Sequence, residues 1–290
     1  MRYHEPFLGG GAVLLHLLGA EPFVRWVGGK RRLLPQIVQR LHRPGCVVDE
    51  ATCPPDACGC LAFDTFAASD SNADLAALYR AVRDDLDGLL RDLAAIPRTP
   101  ATYLAVREGS FATSQAARAA YLNLFGFNGI WRTNRAGKFN VPLDPKRLER
   151  FQLKTFEDAA RAAAPALQRC AVVASDFRPK LARLGEGDVV YLDSPYRADS
   201  GEGTSSSFRS YAGAFTETDQ LDLAMMVGEA ASRGARLVVS NSVAAAPLYE
   251  AQRTGRVAVK LDVVVDRTSV GATGDRRGER REILVALGPA

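Results

Sequence analysis

The sequence predicts an α/β fold in which helices surround a mostly parallel β-sheet. Short β-branched runs alternate with longer helical stretches, which is typical of βαβ units. The last two of these runs bracket a single loop, so they should form an antiparallel pair at the end of the sheet. Between residues 85 and 168 the alternation stops, and this mainly helical segment, which contains an aromatic, Gly/Asn-rich stretch, is predicted to be an inserted domain with a β-hairpin.

The predicted elements follow one another along the chain. After a short strand that ends at Glu5, strands are predicted at residues 64–68, 171–174, 189–192, 236–240, 257–265 and 282–287. Helices are predicted at residues 12–18, 31–41, 73–93, 116–124, 157–164 and 217–233. The chain therefore divides into a main domain of residues 1–84 and 169–290 and an inserted domain of residues 85–168.

Size and charge narrow the class of protein. With 290 residues, 47% of them hydrophobic, the chain can bury one large core with a smaller insertion. Because no apolar run reaches roughly 18 residues and the first ten residues lack the pattern of a signal peptide, we expect no membrane segment and a cytoplasmic location. The net charge is +4, and arginines cluster within residues 25–32, 132–147 and 276–281. Such patches suit nucleic acid, although solvated surface is the alternative explanation.

Four of the five cysteines fall close together. Cys46, Cys53, Cys58 and Cys60 lack the paired C-x2-C spacing that is typical of structural zinc sites. Their odd total, with Cys170, also argues against a disulfide framework. We therefore expect free thiols in an irregular loop and no metal.

A buried strand ends in the tetrapeptide Asp193-Ser194-Pro195-Tyr196. Ligands of open α/β sheets bind beyond the carboxyl ends of the strands, so chemistry is expected here. An amino group on a base ring is a poor nucleophile because its lone pair is delocalised. The Asp193 carboxylate and the Ser194 carbonyl could accept its two N–H bonds, while Tyr196 stacks on a base flipped out of the duplex. On its own, the tetrapeptide would read as an ordinary turn.

Glycine turns and acids elsewhere predict a ligand site at the same sheet edge. Residues 5–11 form a strand end, an acid and a glycine loop that opens an apolar helix, and glycines there let backbone N–H groups approach a ligand. A second glycine turn, residues 23–30, places Trp26 and Lys30 where they could face a carboxylate. Asp70 ends another predicted strand and could accept from ribose hydroxyls, and Asp176 ends a third.

Taken together, these motifs resemble the Dam-type (D12 class) adenine-N6 DNA methyltransferases across nearly the whole chain. The resemblance implies a Rossmann-like methyltransferase sheet, S-adenosylmethionine as cofactor and double-stranded DNA as substrate. A cognate restriction endonuclease is a further candidate partner, and a monomer is expected. The family's D-P-P-Y element, which is catalytic, matches Asp193, Ser194, Pro195 and Tyr196. Its cofactor-binding motifs match Glu5, Phe7, Gly9, Gly11, Trp26, Lys30, Asp70, Ser175, Asp176 and Asp193.

Residues 121–142 are similar to the family's DNA-reading hairpin. The tip of this segment could fill the gap that a flipped base leaves, and Arg132 could read a guanine, a contact worth about 1–3 kcal/mol of discrimination. Lys138 is expected to hold a phosphate. The resemblance implies DNA contacts by Phe127, Asn128, Ile130, Arg132, Asn134, Lys138 and Pro142. Family hairpins of this kind suggest a short site containing GAT. Residues 204–211 resemble the loop over the target base, and residues 273–281 a basic loop near the DNA backbone.

Two departures from the family pattern matter. The tetrapeptide has Ser194 where the family has proline, which predicts a less rigid loop and reduced activity. The motif order is also reversed, because the glycine loop at residues 5–11 precedes residues 23–30. Either the first strand and helix have moved to the front and residues 46–61 form a connector, or residues 47–50 supply the central strand and the cofactor loop is damaged. We favour the first arrangement.

Three other functions compete with adenine methylation. Cytosine-N4 methylation uses the same chemistry, but Asp193 and the hairpin favour adenine. A catalytically weak DNA-binding relative would follow from a damaged cofactor loop. A nucleotide-dependent oxidoreductase has only the glycines of residues 9–11 in its favour and offers no residues for hydride transfer.

Overall fold

The central feature of the fold is a seven-stranded sheet with the order β3-β2-β1-β4-β5-β7-β6. The computed structural model describes residues 1–42, 61–134, 136–198, 215–267 and 279–290. The strands are β1 Arg2–Glu5, β2 Thr65–Asp70, β3 Cys170–Ala174, β4 Asp188–Asp193, β5 Arg236–Ser242, β6 Val257–Arg267 and β7 Glu279–Pro289. The first five are parallel to one another, whereas β7 is antiparallel to both β5 and β6. The predicted α/β class and its antiparallel C-terminal strand are confirmed.

The first strand of the chain occupies the centre of the sheet. β1 pairs with β2 on one side, where Arg2 faces Thr65, and with β4 on the other, where Arg2 faces Asp188. The arrangement in which the first strand and helix have moved to the front of the chain is therefore the one observed. Residues 47–50, the alternative central strand, lie outside the described residues, as do Cys46, Cys53, Cys58 and Cys60.

Helices cover the two faces of the sheet. They are α1 Ala12–Leu17, α2 Leu34–Leu41, α3 Ala73–Asp84, α4 Leu86–Ala95, α5 Pro100–Glu108, α6 Gln115–Phe125, α7 Pro145–Arg150, α8 Leu153–Leu167, α9 Arg178–Leu181, α10 Glu217–Ser232 and α11 Ala246–Glu250. One face, which carries Tyr3 and Phe66, packs against helices on either side of the sequence boundary at residue 85, and its buried cluster includes Tyr79 and Tyr121. The opposite face, with Val190 and Val239, packs against α9, α10 and α11. Since one cluster joins both segments, the division into two domains stays a prediction.

Local chemistry explains where the helices differ from the predicted ones. The helix predicted for residues 73–93 breaks at Asp85, whose backbone is non-helical with φ −151° and ψ 65° and whose carboxylate accepts from the Gly88 N–H to cap α4. The helix predicted from residue 31 begins at Leu34, with Pro35 in its first turn, a position that tolerates proline. The Asp85 cap and the proline in the first turn of α2 thus account for these two boundaries.

The predicted hairpin forms a compact turn with limited strand pairing. Two isolated antiparallel bridges join Gly126 to Leu143 and Thr133 to Phe139. The Asn134 side chain accepts from the backbone N–H groups of Ala136 and Lys138, which closes the turn. Within the described ranges, none of the helices combines the length and apolar character that a membrane crossing requires.

Candidate active site

Three acidic residues meet at the carboxyl edge of the sheet because they end adjacent parallel strands. Asp70 ends β2, Glu5 ends β1 and Asp193 ends β4. The strand order places these three strands side by side. The sheet thus gathers carboxyl groups that lie up to 188 positions apart in the sequence.

The glycine loop after β1 is fastened to the end of β2. The Gly9 N–H donates to Oδ2 of Asp70 at 3.0 Å, and the Asn72 N–H donates to Oδ1 at 2.9 Å. Burial raises the pKa of Asp70, and these two backbone donors oppose that rise. Asp70 therefore positions the loop, in addition to the ribose contact that the sequence predicts.

The two glycine motifs come together in space despite their reversed order. The indole of Trp26 packs on the loop so closely that a Cβ added at Gly9 would lie 2.9 Å from its Nε1, and one at Gly10 would lie 2.9 Å from its Cβ. Trp26 also stacks on Trp131, with ring centroids 6.3 Å apart. The aromatic ring thus lies between the glycine loop and the predicted DNA-reading segment.

Lys30 is buried among acidic and aromatic groups. Its Nζ lies 3.2 Å from Oδ1 of Asp193, 3.7 Å from Oε2 of Glu282 and 4.8 Å from the centre of the Tyr196 ring. The same Nζ donates to the Gly28 carbonyl at 3.0 Å. The lysine is only 6% exposed, so its charge is compensated by these neighbours and little by water.

The protonation of the site reflects burial. Burial raises the pKa of Asp193 to about 6, against the opposing charge of Lys30, and the charge of Glu282 adds to the rise. Burial likewise raises the pKa of Glu5 to about 8; its bond from the Tyr3 hydroxyl opposes this, and the charge of Asp193 adds to it. A cation bound beside Glu5 would favour the ionised carboxylate.

Buried amides hold the tetrapeptide from behind. Gln220 donates from Nε2 to the Pro195 carbonyl at 2.7 Å. Asn241 donates from Nδ2 to the Ser194 hydroxyl and to Oε1 of Gln220, both at 3.3 Å, and its Oδ1 accepts from the Arg197 N–H at 3.0 Å. Ser194, Gln220 and Asn241 are all at most 3% exposed. The loop is therefore fixed through hydrogen bonds.

Tyr196 is held through both its hydroxyl and the face of its ring. Its hydroxyl donates to Oε2 of Glu282 at 2.7 Å, and Lys30 lies over its ring. Burial raises the pKa of Tyr196 well above its ordinary value, so the hydroxyl remains a donor. The sequence analysis missed Glu282 and Gln220. The sequence signal that could have identified Glu282 is an acid at the start of a predicted strand, followed directly by three apolar residues that are all buried in the structure.

The remaining predicted cofactor residues border the end of β3. The Ser175 N–H donates to the Asp70 carbonyl at 2.9 Å, which joins this strand end to the next. The Asp176 carboxylate pairs with Arg178 at 3.1 Å. Phe7 contacts Phe177 and Phe215, with ring centroids 5.4 and 6.0 Å away, and forms an aromatic group beside Asp176.

The predicted DNA-reading residues share one turn-rich segment. Phe127 is 41% exposed, and Asn128 has a left-handed backbone with φ 55°. The Phe127 N–H donates to the Pro142 carbonyl and the Ile130 N–H to the Phe127 carbonyl. Arg132 donates from Nε to Oδ1 of Asn140 at 2.7 Å. Residues 204–211 lie outside the described residues, as do residues 273–278 of the predicted basic loop, whereas its last three residues, 279–281, belong to β7.

Asn123 connects this segment to the second glycine motif. Its side chain accepts from the Arg25 N–H at 3.1 Å and donates to the Arg25 carbonyl at 2.7 Å. Gly129 lies against the same residue, since a Cβ there would be 2.8 Å from that of Arg25. The predicted DNA-reading segment and the motif around Trp26 are therefore one packed unit.

The chain was compared with known proteins. The family model for D12 class N6 adenine-specific DNA methyltransferases matches residues 26–263, more than four fifths of the chain. The glycine loop lies before the matched segment, in agreement with the reversed motif order.

The curated relatives are named DNA adenine methylases. The chain is 29% identical to the retron Ec67 DNA adenine methylase of Escherichia coli over 76% of both chains. It is 27% identical to the DNA adenine methylase of Vibrio cholerae over 92% of this chain and 96% of that one, and 28% identical to that of Escherichia coli K12 over 92% and 95%. A solved rRNA methyltransferase, aviRa from Streptomyces viridochromogenes, aligns at 17% identity over 98% of this chain and 76% of that one, but its TM-score of 0.27 is too low to establish a shared fold. On the strength of the family match, the chain belongs to the D12 class of N6 adenine-specific DNA methyltransferases.

Proposed function

We propose that this protein transfers a methyl group from S-adenosylmethionine to N6 of an adenine flipped out of duplex DNA, at a short site containing GAT. The observation that carries the proposal is the convergence of Glu5, Lys30 and Asp193 at the carboxyl edge of β1 and β4, next to the glycine loop.

The residues present fit the cofactor. S-adenosylmethionine supplies an electrophilic methyl group and carries a sulfonium and an ammonium. Acidic groups outnumber the buried lysine here, since Asp193 and Glu282 flank Lys30 and the charge of Glu5 interacts with that of Asp193. The raised pKa of Glu5 marks a buried carboxyl that a cation would stabilise in its ionised form. Glu5, Phe7, Gly9, Gly11 and Trp26 would hold the methionine part, and Asp70, Ser175 and Asp176 the nucleoside.

The tetrapeptide would prepare the target amino group. The Asp193 carboxylate accepts one N6–H bond and the Ser194 carbonyl accepts the other, which draws the nitrogen towards tetrahedral geometry and exposes its lone pair. Tyr196 stacks on the base, and its position is fixed by Glu282. Gln220 and Asn241 keep the acceptors aligned through their bonds to the loop.

DNA would be read by the segment from Phe127 to Pro142. The half-exposed Phe127 and the left-handed Asn128 lie in the short 3-10 turn at its start, and we assign them to the space left by the flipped base. The bond to Asn140 fixes the guanidinium of Arg132, which would read one base pair, so Arg132→Ala should relax specificity there by about 1–3 kcal/mol.

The proposal is tested by incubating the purified protein with S-adenosylmethionine and unmethylated duplex DNA and then sequencing for modified bases. We expect N6-methyladenine in one short sequence context, and its loss in Asp193→Ala with DNA affinity largely kept. Calorimetry should show that the wild type binds S-adenosylmethionine. No cofactor binding, or equal transfer by Asp193→Ala and wild type, would refute the chemistry, and N4-methylcytosine would reassign the target.

A further inference from the structure

A separate cavity of about 240 Å³ lies on the sheet face opposite the one that packs against the predicted DNA-reading segment. β1, β2 and β3 form its floor through His4, Ser69 and Val173, and α9 forms its wall through Lys180. Tyr3 and Ala68, which neighbour His4 and Ser69 in their strands, point to the other face and join the cluster with Tyr121. The cavity is thus separated by the sheet from the packing that supports the candidate active site.

Two buried polar atoms on the floor lack partners. Among the described residues, neither Nδ1 of His4 nor Oγ of Ser69 has a hydrogen-bond partner, although the residues are only 8% and 2% exposed. Buried polar atoms are normally satisfied, because leaving one unpaired costs about 1–3 kcal/mol. Because both residues line the same cavity, a polar ligand bound there could supply the missing partners.

The walls of the cavity are positively charged. Lys180 and Arg183 form no side-chain hydrogen bond or ion pair with the residues that the structure describes, and both line the cavity. Its acid, Asp188, already accepts from Arg2 and from the Gly185 N–H, and it lies 2.8 Å from Nε2 of His4. The acid is therefore compensated, and the remaining charge favours an anion.

The histidine restricts which anion fits. Because Nε2 faces a carboxylate, it carries the ring proton, and burial lowers the pKa of His4, so that Nδ1 is an acceptor near neutral pH. The ligand must therefore offer a proton donor as well as negative charge. Inorganic phosphate keeps a P–OH group at neutral pH, whereas sulfate keeps none.

We propose that this cavity is a binding site for inorganic phosphate, with the P–OH donating to Nδ1 of His4 and the charged oxygens accepting from the Ser69 hydroxyl, Lys180 and Arg183. The site goes beyond the proposed methyl transfer, since the four residues that would bind phosphate are distinct from those assigned to the cofactor and DNA, although the cavity is also lined by Ser175, which is assigned to the nucleoside.

Calorimetric titration of the full chain with inorganic phosphate, in the absence of cofactor and DNA, tests the proposal. We expect saturable binding at one site and at least about tenfold weaker binding of sulfate at the same ionic strength, the loss expected for one hydrogen bond. His4→Gln keeps a donor to Asp188 but lacks Nδ1, so it should abolish the preference for phosphate over sulfate.

A matched pair of double variants distinguishes binding of phosphate at the cavity from nonspecific attraction by the positive charge of the protein. Lys180→Ala with Arg183→Ala should weaken phosphate binding at least about tenfold, whereas Arg256→Ala with Lys260→Ala, which removes the same charge elsewhere, should not. Equal binding of phosphate and sulfate by the wild type, or equal losses in the two double variants, would overturn the proposal. Displacement of phosphate by a phosphomonoester or by a duplex lacking the target site would assign the cavity to that phosphate source instead.

Discussion

Ser194 occupies the position where this chain departs from the family tetrapeptide, and the structure gives its side chain a role. Its hydroxyl is buried and accepts from Nδ2 of Asn241 at 3.3 Å. A proline there would restrict the loop, for which the sequence predicts higher turnover, but it would also remove one acceptor of a buried amide. Hydrogen bonding and ring rigidity are thus alternative ways of fixing this loop.

We expect Ser194→Pro to raise turnover while lowering the free energy of unfolding by about 1 kcal/mol, the worth of the lost hydrogen bond. Ser194→Ala is the matched control, because it loses the bond without gaining the ring and should destabilise without a gain in turnover. Methyl-transfer kinetics and urea unfolding measure the two effects. A fall or no change in turnover for the proline variant would count against the rigidity argument.

Asp193 should give the enzyme an acid limb in its pH profile. Its pKa is raised to about 6. Only the ionised carboxylate both carries a negative charge and accepts a hydrogen bond from the target amino group. The rate of methyl transfer should therefore fall as the pH drops through about 6, where the group becomes protonated.

Two variants should move that limb in opposite directions. Lys30 lowers the pKa of Asp193 and Glu282 raises it, so Lys30→Met should shift the limb to higher pH and Glu282→Gln to lower pH. Glu282→Gln retains an acceptor for the Tyr196 hydroxyl, which isolates the effect of charge. The measurement is kcat/KM against pH for the three proteins, and shifts of the same sign in both variants would contradict the assignment.

At the scale of single elements, α1 is bounded by glycines that have different tasks. Gly11 has φ +61° and Gly19 has φ +75°, so both adopt the left-handed backbone that side chains disfavour. A Cβ at Gly11 would lie 2.6 Å from the Tyr79 hydroxyl, whereas one at Gly19 would meet nothing within 4 Å. The loop glycine therefore serves close packing as well as conformation.

Gly11→Ala should lower the free energy of unfolding by more than Gly19→Ala, which carries only the backbone cost of about 1–2 kcal/mol. Adding Tyr79→Phe to Gly11→Ala should recover part of the excess, since it removes the atom that the new Cβ meets. Urea unfolding of the four proteins gives the comparison. Equal losses in the two alanine variants would show that packing against Tyr79 is unimportant.

The elements also show why the sequence predicts the sheet better than the site. Alternation and β-branched runs reveal β4, β5, β6 and β7, because they report burial within one strand. The ion pair of Lys30 with Glu282 joins positions 252 apart in the sequence, and the hydrogen bond from Tyr196 to Glu282 joins positions 86 apart. No local sequence pattern predicts either contact. Similarly, the sequence pattern of residues 73–93 does not predict that Asp85 ends one helix and caps the next.

For the whole molecule, the unusual feature is that the two glycine motifs, residues 5–11 and 23–30, follow each other in the reverse of the family order and still meet at one site. β1 lies between β2 and β4, where Glu5 and the glycine loop reach Asp70, Trp26 and Asp193. Packing and pairing depend on positions in space, and the entropy of closing a connection changes only slowly with its length. The fold should therefore tolerate either order of the two glycine motifs.

One pair of ends that a family-like order would join, residues 42 and 1, already lies close together. Arg236 donates from Nη1 to the Leu41 carbonyl at 3.0 Å and from Nη2 to the sulfur of Met1 at 3.3 Å, so the end of α2 and the start of β1 flank one guanidinium. The Asp64 N–H donates to the Met1 carbonyl at 2.9 Å, which places the approach to β2 at the same edge. A short linker should suffice on both sides.

We expect a reordered variant, residues 21–42, a Gly/Ser linker, residues 1–20, a second linker and residues 61–290, to fold with a free energy of unfolding within about 1 kcal/mol of its control. The control keeps the original order, with one linker in place of residues 43–60 and an identical second linker between residues 20 and 21, so that only the order differs. Urea unfolding and calorimetry with S-adenosylmethionine compare the two proteins. If the control folds and binds while the reordered chain does not, the position of β1 at the front of the chain is a requirement of this fold and not an interchangeable connection.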